Sequence, residues 1–180
     1  MTIAHDPAIQ AWLDQEDKRT AQMIRRYGTY IQYIGGEECS CCEYLGQSPR
    51  VLEQAEARNA PFAYTVGLFG VGHPELSIVG VDPATASAVL NEVSARIRAG
   101  HDLLPGELLA FEKWTHHVAV EVVPNPGEIV FAANRFYQRP DEYSVRLYQL
   151  TYDDERGRFP WDEGYANPPR LQPRPGDWCA

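Results

Sequence analysis

A chain of 180 residues, 44% hydrophobic and 23% charged, has the composition of one ordinary globular domain. Such a domain buries about 70% of its unfolded surface, enough for a single core without a disulfide framework. The formal net charge of -9 repels phosphate backbones and anionic lipid surfaces, no apolar run approaches the roughly 18 residues that cross a bilayer, and the first residues lack a secretion signal. Nucleic acid and membranes are therefore not expected partners, and the expected location is the cytoplasm.

In chain order, Asp6 and Pro7 form an N-cap and first-turn pair, and Ile9, Trp12, Leu13, Met23, Ile24 and Tyr27 recur at helical spacing up to Gly28. Residues 29–34 alternate as a strand that Gly35 and Gly36 end. Residues 37–60 have no clean period, carry Cys39, Cys41 and Cys42, and read as an inserted loop with a helical turn near 51–57. Two apolar strands follow, near 62–68 and 76–81, joined by a turn that holds His73, Pro74 and Glu75. Asp82 and Pro83 repeat the cap signature, and Val89, Leu90, Val93 and Ile97 form one helical stripe that ends at Gly100. Strands are expected at 107–111 and 115–123, a third helix from Asn125 and Pro126 with Ile129, Ala132, Ala133 and Phe136 inward, and a last strand at 143–152. The charged turn DDERGR closes that strand, and 163–180 form an extended, proline-rich tail. Short connections between neighbouring strands favour a single α+β domain, a mainly antiparallel sheet with about three helices gathered on one side.

Four groups of residues carry chemistry. Pro74 biases His73 toward extended geometry, so that His73 and Glu75 project to one side as a candidate catalytic pair, a base and the carboxylate that orients it. The plainer alternative is a turn whose charged groups face water. In RGRFPWD, Arg158 is a candidate anion clamp and Trp161, with Phe159, an aromatic pocket wall or a cap on the sheet. Cys39 and Cys42 have CxxC spacing, and Cys179 would supply a third thiolate for Zn²⁺, although a second CxxC is absent. His116 and His117 would point to opposite faces of a strand, and Asp153, Asp154 and Glu155 read as a solvated turn. Fingerprints for nucleotide binding, serine hydrolysis and HExxH zinc chemistry are all missing.

The blocks PFAYTVGLFGVGHPEL, GVDPATASAVLNEVSARIRAG and YDDERGRFPWD, in that order, resemble the bacterial family described as domain of unknown function 4262. The likeness spans about 62–161. It implies a small cytoplasmic bacterial protein, brings no established activity or cofactor, and suggests that Tyr64, Thr65, His73, Pro74, Glu75, Arg158, Pro160 and Trp161 belong to shared motifs. The CSCC segment and Cys179 fall outside those blocks.

The function expected first is small-molecule binding, with or without catalysis, in a polar pocket between the His73 turn and the 158–161 segment, with Tyr64 and Thr65 beside it. A zinc- or thiol-dependent interaction module on the cysteine loop is the alternative, and a structural or immunity-like accessory role the third. A protein partner or a homo-oligomer stays open.

Overall fold

Asp6 starts the first helix by accepting the Ala8 N–H at 2.9 Å, and Pro7 occupies the first helical position, where no intrahelical donor is needed. Helix α1 (Pro7–Tyr27) stops at Gly28, whose φ of 91° lets its N–H turn back to the Ile24 carbonyl. Helix α2 (Pro83–Arg98) uses the same device: Asp82 accepts from the Ala84 and Thr85 N–H groups. The computed structural model describes residues 6–35, 60–140 and 142–180. The inserted loop, with the turn expected at 51–57 and with Cys39, Cys41 and Cys42, therefore lies outside the described residues apart from Ala60.

Among the described residues six strands are formed: β1 (Tyr30–Ile34), β2 (Phe62–Val66), β3 (Glu75–Val79), β4 (Leu108–Leu109), β5 (Val118–Val122) and β6 (Leu147–Tyr152). They lie in one sheet in the order β1-β2-β3-β6-β5-β4. Every pairing is antiparallel except β3 with β6, where Glu75, Leu76 and Ser77 face Leu147, Tyr148 and Gln149 in parallel register. The last strand thus slots between two formed earlier in the chain. The expected third helix is split, into a 3-10 turn (Pro126–Glu128) and a short α3 (Phe131–Phe136).

The helices do not gather on one side. On the first face, α2 sets Ala86, Val89, Leu90, Val93 and Ile97 against Ala63, Leu76, Ile78, Val118, Val120 and Leu150. On the second, Phe62, Tyr64, Val66, Val79 and Leu147 meet Ile129, Val130 and Ala133 from the α3 region, with Ile24 of α1 at their margin. An ion pair between Arg135 and Asp17 ties α3 to α1. The physical reason is that β2, β3 and β6 are buried on both sides, so a single helical layer would leave half their apolar surface in water.

The second face also holds a polar row. Ser77, Gln149 and Glu121 are cross-strand neighbours on β3, β6 and β5, and all are wholly or largely buried. Thr151 donates to Glu121 at 2.6 Å. Covering this row is the C-terminal tail, which is docked on the sheet: Gln172 is 2% exposed and Trp178 9%.

Leu90 has no exposed surface at the α2–sheet seam. A Leu90→Ala variant is expected to lose about 3 kcal/mol of unfolding free energy in urea titration, the usual cost of a truncated buried leucine.

Candidate functional site

The β2–β3 connection is built around Glu75. The chain leaves β2 at Val66, makes a 3-10 turn (Phe69–Val71) and returns through Gly72, whose φ is 85°. This places the N–H groups of Gly67, Leu68 and Phe69 around one carboxylate: they reach Glu75 at 2.9, 3.3 and 3.0 Å. Thr65 Oγ1 donates to Glu75 Oε2 at 2.6 Å and itself accepts the Leu76 N–H at 2.9 Å. Burial pushes the Glu75 pKa up, opposed by these four donors. With every partner a donor, the site is matched to a carboxylate.

Glu75 is therefore not the orienter of His73. The His73 ring is 7% exposed, and its Nδ1 lies 2.7 Å from the carbonyl oxygen of Pro74, the residue between them. A carbonyl only accepts, so Nδ1 carries the hydrogen and, in the neutral ring, Nε2 holds a lone pair. That Nε2 is buried and, among the described residues, has no hydrogen-bond partner. The ring stands edge-to-face against Tyr148 at 5.7 Å. It lines a cavity of about 360 Å³ with Val71, Ile97, Arg98, His101 and Asp102, at the C-terminal end of α2. Arg98 is tied to the Gly28 carbonyl at 3.0 Å, and His101 to Glu107 at 2.6 Å.

The 158–161 segment is elsewhere. Because β3 and β6 run parallel, His73 precedes one end of that pair while 158–161 follows the other, with β6, about 17 Å of strand, between them. Each stretch lines its own hollow. Arg158 borders one of about 420 Å³ with Asp154, Arg156 and Asn167, and its Nε and Nη2 lie 3.1 and 3.0 Å from Asp154 Oδ2. Trp161 is half exposed; it stacks on Phe159 at 4.9 Å, with the Arg174 guanidinium 4.9 Å over its ring. Tyr64 and Thr65 are buried and committed to the fold: Tyr64 Oη accepts from the Ala132 N–H at 3.1 Å, and burial pushes its pKa up to about 12.

A further cavity of about 800 Å³ is walled mostly by the tail itself, Arg174, Trp178 and Cys179 among its residues, together with Ala60, Pro160 and Tyr165. Cys179 is exposed and free, and its expected partners Cys39 and Cys42 are outside the described residues. Among the described residues, no three His, Cys, Asp or Glu side chains are placed to hold a metal ion.

Two features differ from the sequence expectation. Asp153 and Asp154 are each 2% exposed, not solvated. Both histidines precede β5 and turn to the same group: His116 and His117 Nδ1 lie 3.0 Å from the two Asp153 oxygens. A carboxylate fixing an imidazole is thus present, as Asp153–His116, packed against Trp114 and Tyr152. No sequence signal marked Asp153, because the contact joins residues 37 apart. Asp154 closes the following turn, accepting the Arg156, Arg158 and Ala166 N–H groups.

Replacing Glu75 by Gln, nearly the same shape, puts an amide donor among N–H donors. The expected loss is about 2 kcal/mol or more in chemical denaturation, with Glu75→Asp also destabilised because the shorter arm cannot span the turn. Asp154 has the opposite electrostatic sign to Glu75: burial pushes its pKa up, but the N–H groups of Arg158, Arg156 and Ala166 and the Arg158 side chain outweigh it and hold the carboxyl well below its ordinary 3.8. As pH falls through 3.8 the unfolded chain takes up a proton that the native chain refuses, so native stability drops. The stability gap between the wild type and Asp154→Asn should therefore be widest above that pH and narrow below it, read from thermal melts across an acid series.

No curated protein and no solved structure matches the chain. A family model does, over residues 23–166, a span that includes the CSCC segment and stops short of Cys179. The chain belongs to the family described as Domain of unknown function (DUF4262).

Proposed function

We propose that the protein is a cytoplasmic small-molecule-binding domain whose ligand seat is the His73 cavity. The observation that carries this is the His73 ring itself. It is held in orientation by Pro74 and Tyr148, its proton is assigned to Nδ1, and a buried acceptor at Nε2 is left without a partner among the described residues. A buried acceptor without a donor costs about 1–3 kcal/mol, a cost that a ligand N–H or O–H would remove once the cavity wall over Nε2 shifts to admit it, since that atom is closed off in the unliganded fold. The volume, about 360 Å³, sits at the small end of the roughly 300–1,000 Å³ typical of ligand pockets, so a metabolite-sized compound is the expected class. Binding is favoured over catalysis because the only carboxylate expected to drive the imidazole, Glu75, is saturated by Thr65 and three main-chain donors.

A thermal-shift screen against a metabolite library tests this. A ligand at 100 times its dissociation constant stabilises the native state by about 2.7 kcal/mol. The expected result is a hit that His73→Phe, which keeps the ring and removes the acceptor, no longer shows. A hit unchanged in that variant, or none in a broad library, ends the proposal.

The second reading, a zinc- or thiol-dependent module on Cys39, Cys41 and Cys42, is favoured by one observation: exposed Cys179 lines the same cavity as Ala60, the last residue of the inserted loop. Stoichiometric zinc in protein purified without added metal, lost in a Cys39→Ala, Cys42→Ala variant, would support it, and less than about a tenth of an equivalent would dismiss it.

A further inference from the structure

Residues 167–180 add no strand and no helix, yet they cross the second face of the sheet from one end to the other. The crossing begins at Gly80, where a Cβ would lie 2.0 Å from the Leu171 carbonyl oxygen, so the body accepts the main chain of the tail only because that position is glycine. Next, Gln172 takes both main-chain groups of Tyr152: its Oε1 accepts the Tyr152 N–H at 2.8 Å and its Nε2 donates to the Tyr152 carbonyl at 2.9 Å. Those groups lie beyond Gln149, the last residue of β6 paired with β3. Gln149 answers from the sheet, donating to the Pro173 carbonyl at 2.9 Å and accepting Trp178 Nε1 at 2.9 Å. Arg174 pairs with Glu121. The Trp178 ring seats against Phe62 at 4.9 Å, and its carbonyl accepts from Asn125 Nδ2 at 2.8 Å.

These are the marks of a bound peptide. One indole anchor fills a pocket, one charge pair and several amide-to-main-chain hydrogen bonds set the register, and the segment bends through two turns, closed by Leu171 N–H to the Pro168 carbonyl and Asp177 N–H to the Arg174 carbonyl, instead of running extended as the sequence suggested.

We propose that the second face of the sheet, from Gly80 to Asn125 by way of Tyr152, Gln149 and Glu121, is a peptide-docking groove and that residues 167–180 are its tethered resident ligand. The partner it fits is a proline-rich segment carrying Gln-Pro-Arg, with a Trp four residues after the Arg. The tether gives the tail an effective concentration on the order of millimolar, so an outside peptide competes only once the connection is cut or the tail is drawn away.

The test starts from the full, folded chain with a protease recognition sequence inserted between Pro169 and Arg170, both exposed. After cleavage, the tail should co-elute with the body in size exclusion at tens of micromolar and be displaced by excess synthetic peptide of residues 170–180. The body stripped of its tail should keep a cooperative thermal transition and rebind labelled peptide at one to one. A peptide with Gln172→Ala and Trp178→Ala should compete at least about tenfold less well. Collapse or aggregation of the stripped body would make the tail an integral part of the core and overturn the proposal. So would a folded body that does not rebind the peptide, equal competition by the substituted peptide, or a nicked tail that never exchanges.

Discussion

The carboxylate of Glu75, closed in by Thr65 and the N–H groups of Gly67, Leu68 and Phe69, is the constraint on which the rest of the molecule turns. A tight β2–β3 connection leaves several main-chain donors pointing inward with no strand or helix to receive them, and one buried anion satisfies them together. With the turn locked, β3 has a defined start, and Glu75 opposite Leu147 sets the register of the parallel pairing that seats β6. Every other strand reaches the core through those two. The same lock aims His73, two residues before Glu75, into the interior at the end of α2 instead of toward solvent.

Placing β6 between β3 and β5 has consequences on both faces. The three central strands need cover twice, and the chain supplies it with α2 on one side and with α3 and the tail on the other. On the α2 side the contact is mainly apolar, with the buried hydroxyl of Ser94 on that helix as the exception. Across the sheet, Gln149, Thr151, Glu121 and Ser77 make a face that only partners with hydrogen-bonding groups can cover without loss. The tail meets that requirement with amides, an arginine and an indole. Two chemically different surfaces on one sheet divide the protein into a scaffold side and a recognition side, with the His73 cavity at the end of the scaffold side.

Much of the secondary structure was legible. Asp6–Pro7 and Asp82–Pro83 announced both long helices to the residue, because caps are local chemistry. The strand formers Phe62, Tyr64, Thr65 and Val66 marked β2, and the mainly antiparallel α+β class followed from the short connections. Less was legible in the site. His73 was singled out and is buried beside a cavity, but the carboxylate expected to serve it is turned away, since three main-chain donors and a hydroxyl outcompete one imidazole for the same oxygens. The imidazole–carboxylate pairing occurs instead at Asp153, in an acidic run that looked solvated.

By itself the sequence determined what depends on neighbours a few residues apart: the capped helices, the alternating first strand, the glycine-rich turn around His73 and an acidic chain whose apolar runs are all too short to cross a bilayer. Tertiary structure alone decided that β6 runs parallel to β3, which puts the His73 turn and the 158–161 segment at opposite ends of the sheet, and that a proline-rich tail without periodicity is bound across a polar face. The reason is one of range. Caps and alternation are settled by steric and hydrogen-bonding preferences within a turn or two, whereas strand order and the pairing of buried polar groups are settled by which distant partner leaves the fewest donors and acceptors unsatisfied.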